Sequence, residues 1–472
     1  MATMMREYVT DERTAPPDPV LEARAVIPVL PRHHVDRPRL HAMLDAGAER
    51  PLTLVSAAAG SGKTTVGASW ALERQRRRPD ERLGWVTFEP GDERPDILWP
   101  LVLASLRRCG VAPPVAAYGD SVLMHRDMVS DVGVCLAGLD TPLVLVLDGY
   151  EIADAELATD LAFLLSHSAG QLRLILLTRA DPTLPLHRFR LSEAITEVRM
   201  ADLAFTSAET RRLVHAAPTQ FAESSVEALL ERTRGWAAGL RFALWWVDRS
   251  SDPVAAISRL RGDTGNVAQY LRTEMLDTLP TESRELLLRT SVVEVLQPGL
   301  IEELGGPAAA RALASLSRSN LLLDEVGDAP GWFEYHPLLR DLLRAELADT
   351  SPSRLSSLQR QAEGWYAGAV QEPAVPGLRA VGARAPSPAL ASGAAAFRLP
   401  DGCVIEPLSA KEREVLGHLA ELLSTEEIAA TMFVSVNTVR THVRNLLRKL
   451  AVNRRNDAIR RARSLNLIEP PA

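Results

Sequence analysis

Residues 52–65 read LTLVSAAAGSGKTT, and no other stretch of the chain restricts its fold so sharply. An apolar β-type run feeds a glycine-rich turn, and an amphipathic helix starts at Lys63. That is the strand–loop–helix context of a P-loop. Gly60 and Gly62 let backbone amides turn toward an anion with no Cβ in the way. The N-terminus of the following helix adds partial positive charge. Lys63 supplies a compact cation for β- and γ-phosphate oxygens, and the Thr64 hydroxyl is suited to Mg²⁺. The candidate nucleotide set is therefore Gly60, Ser61, Gly62, Lys63, Thr64 and Thr65, with ATP or ADP and Mg²⁺ as cofactors. Ala57 stands where the general pattern has glycine. Composition adds weight to this reading. Of 53 lysines and arginines only three are lysine, at 63, 411 and 449. A chain that uses arginine wherever a generic charge will do keeps one lysine inside a glycine-rich loop.

The surroundings of the loop read as an α/β layer. Leu52–Ser56, Trp85–Phe88, Leu143–Leu147 and Leu172–Leu177 are short apolar runs with turn residues nearby. Such runs suit strands buried on both faces of a parallel sheet. Helix-like segments, among them Thr64–Arg76 and Pro100–Arg108, lie between them, and this alternation predicts a doubly wound domain. Asp148 follows the third run. A lone charge at the end of a buried strand is costly unless it has work to do, and Mg²⁺ coordination beside Thr64 is that work. The next residue is Gly149, so no adjacent carboxylate can polarise water. Glu151 is the available substitute, and hydrolysis is expected to be slow or absent. Arg179, after the fourth run, lies at the ligand side of such a sheet and is a candidate sensor of a γ-phosphate.

At 472 residues the chain has room for about three domains, and 46% hydrophobic with 24% charged residues is ordinary globular composition. No apolar run approaches the ~18 residues of a membrane helix, and the first fifteen residues show no secretory signal. Cys109, Cys135 and Cys403 have neither disulfide nor zinc spacing. A soluble cytoplasmic protein is expected. Residues 1–25, with Pro16, Pro17 and Pro19, read as a disordered polar leader. The α/β pattern runs over 26–200. A helical pattern follows from about Ala201 to Leu347, with a hairpin candidate at Leu321–Val326 and Trp332–Tyr335. A Pro/Ala linker occupies 370–402.

The last seventy residues are helical again. Ser409 with Glu412 and Ser424 with Glu427 form two capping boxes, which start helices at about 410–421 and 425–432. Ser435 caps a third helix running to about Leu450. Its apolar stripe is Val436, Val439, Val443, Leu446, Leu447 and Leu450. Arg440, Arg444 and Arg448 form a separate basic row, bordered by Asn437 and Thr441. Residues 440–463 hold nine basic residues and one acidic, on a chain whose net charge is −7. A short helix, a tight turn and a helix with one apolar and one basic face make a helix-turn-helix reader of double-stranded DNA.

The segments VDRPRL (35–40), SAAAGSGKTT, LVLVLDGYE, LILLTRADPTLPLHRFR, ADLAFTSAE, RTRGWAAGLRFA, YLRTEMLDTLP and WFEYHPLLRDLLR resemble, in order, the STAND-class P-loop switch ATPases of MalT-like LuxR-type regulators. The resemblance implies a nucleotide-binding domain (26–200), a helical domain (201–272) and a winged-helix domain (273–350). It places Arg37 by the adenine and His336 near the ADP β-phosphate. Family members usually carry a second aspartate where Gly149 stands here, and continue into helical repeats that bind an inducer. RQAEGWYAGA (360–369) resembles the start of that array, so 351–402 reads as a sensor stub and linker. Residues 403–472 resemble an all-α LuxR-type helix-turn-helix. That resemblance points Arg440, Thr441 and Arg444 at base edges, where arginine pairs with guanine. Lys411, Ser435, Asn437, Thr438 and Lys449 are then assigned to phosphates, which position without specifying. The last helix implies pairing with a second copy on DNA.

The implied function is an ATP-dependent regulator that binds promoter DNA, closed with ADP and open with ATP, opening into self-association. An inducer or regulatory protein is left open as a partner, and no membrane is involved. The alternative is a sequence-specific DNA-binding regulator whose nucleotide site is structural and does not cycle. As an enzyme the chain is at most a slow ATPase serving as a switch. No nucleophile triad or metal constellation elsewhere suggests another reaction.

Overall fold

The computed structural model describes residues 19–92, 95–111, 122–153, 155–216, 223–250, 256–257, 259–326, 330–369, 397–398, 404–405, 415–419, 425–432, 439 and 443. The chain divides into two compact units, Met1–Arg384 and Ala385–Ala472.

The first unit is organised around a parallel five-stranded sheet. Its strands are β1 (Leu52–Ser56), β2 (Arg82–Thr87), β3 (Leu143–Asp148), β4 (Leu172–Thr178) and β5 (Ile195–Arg199), in the spatial order β2-β3-β4-β1-β5. Every residue of β1 and β3 is buried. The period-2 geometry of a strand splits these runs between two layers. Leu143, Leu145 and Leu147 of β3, with Leu172, Leu174 and Leu176 of β4, fill one core. Val144, Val146, Ile175 and Leu177 fill the other, with Trp70 and Ala71 of the helix Lys63–Arg77. Two apolar faces are why these strands read as unbroken hydrophobic runs.

Sequence and structure differ in three places. β5 escaped notice because ITEVR is only part apolar: it is an edge strand, paired to β1 alone, with Ile195 and Val198 buried. Residues Pro19–Arg24 of the supposed disordered leader form a helix. Pro19 opens it, in the first turn where proline is tolerated. Arg24 anchors it by donating to the Thr87 carbonyl (2.9 Å) and pairing with Asp92. Finally, the helix expected from Pro100 begins at Pro95, with Pro100 inside it. Burial of Leu98 and Trp99 extends the helix past the proline.

Beyond the sheet, helices Ser207–His215, Glu223–Thr233 and Ala237–Val247 lead to a three-stranded antiparallel sheet. Its strands are β6 (Val295–Leu296), β7 (Leu323–Glu325) and β8 (Phe333–Tyr335), ordered β6-β8-β7. The anticipated hairpin is thus present and gains a third strand. Helix Pro337–Thr350 follows β8. Its Leu338, Leu339, Leu342 and Leu343 join Trp236, Leu240 and Leu271 in one core that also takes in Ala58 and Ala59 of the P-loop. The sequence Pro352–Ala369 is a helix whose Leu358 and Ala362 pack with Leu300 and Leu304.

In the second unit, Phe397–Arg398 pairs antiparallel with Val404–Ile405, residues 415–419 are helical, and Thr425–Met432 is a helix. Val415, Leu416, Leu419, Ile428, Met432, Val439 and Val443 are buried. The last two belong to the apolar stripe read for the third helix. Among the described residues, no helix is long and apolar enough to cross a membrane.

Candidate functional site

β1 ends at Ser56, and the chain turns through Gly60 and Gly62, at φ +69° and +89°, into the helix that starts at Lys63. Lys63 Nζ folds back over this turn and donates to the carbonyls of Ala57 (2.7 Å) and Ala58 (3.0 Å). Burial pushes its ammonium down to about 8, with Glu151 and Asp148 pulling upward and Arg179 opposing them. The Ser61 hydroxyl is buried with no hydrogen-bond partner among the described residues.

The strand order inserts β4 between the P-loop strand and β3, so the chemistry-bearing ends of all three strands line up. Asp148 closes β3 in register with Leu177, 5% exposed. Burial pushes its carboxyl up to about 6, against the hydrogen bond from Thr64 and the charge of Lys63. Thr64 Oγ1 donates to Asp148 Oδ1 at 2.9 Å. A hydroxyl and a buried carboxylate at hydrogen-bond distance, beside an unpaired buried hydroxyl, fit a Mg–nucleotide. Mg²⁺ commonly takes one or two carboxylates and completes its shell with phosphate oxygens and water. Among the described residues no cluster of three or more His, Cys, Asp or Glu could hold a metal.

Gly149 is fixed by geometry. Its φ is +76°, and an added Cβ would lie 2.6 Å from the Phe88 carbonyl oxygen. Phe88 in turn donates its N–H to the Asp148 carbonyl at 2.8 Å. A second aspartate has no room at this position. Glu151 lies in the turn Tyr150–Ile152 and pairs with Arg179 Nε at 2.9 Å.

The other two residues singled out by resemblance are held by protein. Arg37 is buried and donates to the carbonyls of Leu203 (2.8 Å) and Ala204 (2.9 Å) and to Glu209 (3.0 Å). Its guanidinium lies over the Phe205 ring at 4.2 Å. Burial lowers its pKa despite Glu209. Burial also pushes Glu209 up, but hydrogen bonds from Arg39 and Arg37 outweigh it and hold that carboxyl at about 2. Arg37 thus serves as a wall of a cavity of about 290 Å³ that also touches Gly60, Gly62, Thr65, Phe205 and Ala238. His336 caps the helix Pro337–Thr350: Nδ1 accepts from the Leu338 N–H (3.3 Å) and Nε2 donates to the Thr233 carbonyl (2.8 Å). Burial pushes it down to about 4, so it is neutral with both ring nitrogens committed. The edge of Trp236 meets it at 5.8 Å between centroids.

Trp236 also donates its indole N–H to the Ala59 carbonyl (2.9 Å), and the Ala238 N–H bonds the Gly60 carbonyl (2.9 Å). The GWAAGL segment therefore covers the P-loop directly. Two residues that sequence reasoning did not single out also reach the site. Glu274 pairs with Arg179, and Asn320 donates to Ser56 Oγ (3.0 Å) and to the Arg179 carbonyl (2.9 Å). Asn320 left a faint signal, being an asparagine just past a helix end, where the left-handed conformation it adopts (φ +54°) is common. Glu274 left none.

The proposed DNA-facing residues Lys411, Ser435, Asn437, Thr438, Arg440, Thr441, Arg444 and Lys449 lie outside the described residues.

Residues 272–355 match the MalT winged helix domain, and residues 406–462 match the bacterial regulatory proteins of the luxR family. The chain is 31% identical over 353 residues to the HTH-type transcriptional regulator MalT of Serratia proteamaculans, covering 72% of this chain and 38% of that protein. These matches support a MalT-like, LuxR-type regulator with a P-loop module. It is also 30% identical over 361 residues to the serine/threonine-protein kinase PknK of Mycobacterium tuberculosis, covering 75% of this chain and 32% of that one. These matches take in about a third of the length of either relative. Among solved structures, a Walker-type ATPase of Pyrococcus abyssi aligns at a TM-score of 0.48 and 16% identity, over 67% of this chain and 98% of that one.

Proposed function

We infer that this chain is a transcriptional regulator in which bound nucleotide controls promoter binding, with a compact ADP form and an open ATP form that self-associates on DNA. The observation that carries this reading is the convergence at the P-loop. Lys63, Thr64, Asp148 and Arg179 meet where β1, β3 and β4 end, and Trp236, Glu274 and Asn320 close on them from the rest of the first unit. A ligand entering there touches the joint between the sheet and the covering helices. The same chain carries a LuxR-family segment at 406–462 with a strongly basic stretch at its end, suited to a polyanion.

Lys63, Thr64 and Asp148 would hold Mg–ADP or Mg–ATP. The cation would offset phosphate charge, while Lys63 would exchange its two carbonyl acceptors for phosphate oxygens. The alternative, a structural nucleotide that never cycles, draws on Gly149, whose geometry leaves no second carboxylate. Calorimetry on the full chain with Mg–ADP and Mg–ATP tests the shared premise. Both are expected to bind, and Lys63→Ala is expected to weaken both at least tenfold with an unchanged fold. Charge-assisted hydrogen bonds of about 1.5–3 kcal/mol are lost. Unchanged affinity in that variant would overturn the site.

A further inference from the structure

Arg179 is held from two sides. Its Nε pairs with Glu151 Oε1 (2.9 Å), and its backbone N–H donates to Glu151 Oε2 (3.1 Å). The outer edge of the guanidinium belongs to Glu274: Nη2 pairs with Oε2 (2.9 Å) and Nη1 donates to the Glu274 carbonyl (3.4 Å). Glu274 lies in a π-helical turn, Arg272–Leu276, a local departure that often accompanies function. Asn320, which grips the Arg179 carbonyl, and Glu274 both fall within the winged-helix match at 272–355. Arg179 follows Thr178, which lies in register with Ser56 where β1 enters the P-loop, and Asn320 bonds both Ser56 Oγ and the Arg179 carbonyl.

We propose that Glu274 sets the discrimination between nucleoside di- and triphosphates, its carboxylate competing with a terminal phosphate for the Nη edge of Arg179. This rests on the nucleotide reading above. A guanidinium edge makes one bidentate contact with an anion at a time. A diphosphate, one phosphate shorter, leaves the Arg179–Glu274 pair in place and the winged-helix segment docked. A triphosphate takes that edge and frees Glu274, leaving Asn320 as the winged-helix segment's remaining tie to Arg179. The pair is half-exposed, at 43% and 37% for the two side chains. It is therefore weak enough for a multiply charged phosphate to displace. Glu274 acts through Arg179, as a positioning residue.

The test is calorimetry on the full chain with Mg–ADP and with a non-hydrolysable Mg–ATP analogue. Four proteins are compared: wild type, Glu274→Gln, Arg179→Gln and the double variant. Glu274→Gln should raise affinity for the triphosphate about threefold, the scale of one half-exposed ion pair, and leave ADP unchanged. In the Arg179→Gln background the same substitution should do nothing, as a double-mutant cycle requires of a direct pair. Glu274→Asp, one methylene shorter with its charge kept, should shift the ratio in the same direction by less. Equal shifts for both nucleotides, no shift, or a shift that persists without Arg179 would each overturn the proposal. Wild type binding neither nucleotide would instead overturn the nucleotide site beneath it.

Discussion

Thr64 Oγ1 donates to Asp148 Oδ1 at 2.9 Å, tying the first turn of the P-loop helix to the end of β3 across an intervening strand. This bond orients the carboxylate toward the first turn of the P-loop helix. Asp148→Asn keeps the shape and removes the charge. In wild type, affinity for ADP should rise when Mg²⁺ replaces a chelator. In the variant the two affinities should coincide, and a retained Mg²⁺ effect would place the cation elsewhere.

Turnover should be slow, below the ~1–10³ s⁻¹ of ordinary enzymes, because the residue next to Asp148 is Gly149 and carries no carboxylate. Glu151→Gln should lower it further if Glu151 substitutes. Restoring the family's second acid by Gly149→Asp should fail. The positive φ and the Phe88 carbonyl 2.6 Å from the new Cβ should cost about 1–3 kcal/mol of stability. A denaturant melt checks the cost, and phosphate release checks the rate. A faster Gly149→Asp enzyme with an unchanged melt would contradict the geometry.

How far the sequence could be read follows from what each residue depends on. β1, β3 and β4 were legible because burial on both faces leaves unbroken apolar runs, and Lys63, Thr64 and Asp148 because strand ends and loop spacing are local facts. β5 was not, since an edge strand needs only part of its surface apolar. Arg179 was visible as a strand-end arginine, but its partners Glu274 and Asn320 lie 95 and 141 residues away, and nothing local marks such a pair. The roles read for Arg37 and His336 came from resemblance. Their hydrogen bonds to Leu203, Ala204 and Thr233 are tertiary and had no sequence signature.

His336 gives a pH dependence with a definite sign. Its folded value is about 4, against about 6.5 in an unfolded chain. Below 6.5 the unfolded chain takes up a proton that the folded chain refuses, so stability falls as pH drops from 6.5 to 4 and is unaffected above 6.5. The loss from this residue is at most about 3 kcal/mol. His336→Gln should remove this component. The difference in unfolding free energy between wild type and variant should therefore be constant above pH 6.5 and shift in the variant's favour below it. A pH-independent difference would mean that His336 is not buried neutral.

The proposed DNA contacts of the helix-turn-helix divide by type into testable patterns. Arg440→Ala or Arg444→Ala should cost about 1–3 kcal/mol on the specific site and little on random sequence. Lys411→Ala should weaken all sequences alike and shallow the salt dependence by about one unit of slope. Salt titrations with specific and random duplexes distinguish the two patterns, and uniform weakening by Arg440→Ala would remove it from base readout.

Nucleotide state is proposed to reach the DNA. The most direct measurement of this is a binding isotherm of the full chain on a promoter selected by sequencing of bound DNA. The isotherm is recorded at fixed salt with saturating Mg–ADP and then with a non-hydrolysable Mg–ATP analogue. Tighter and more cooperative binding with the triphosphate is the predicted result. Superimposable isotherms would contradict the switch and leave the nucleotide as a structural ligand.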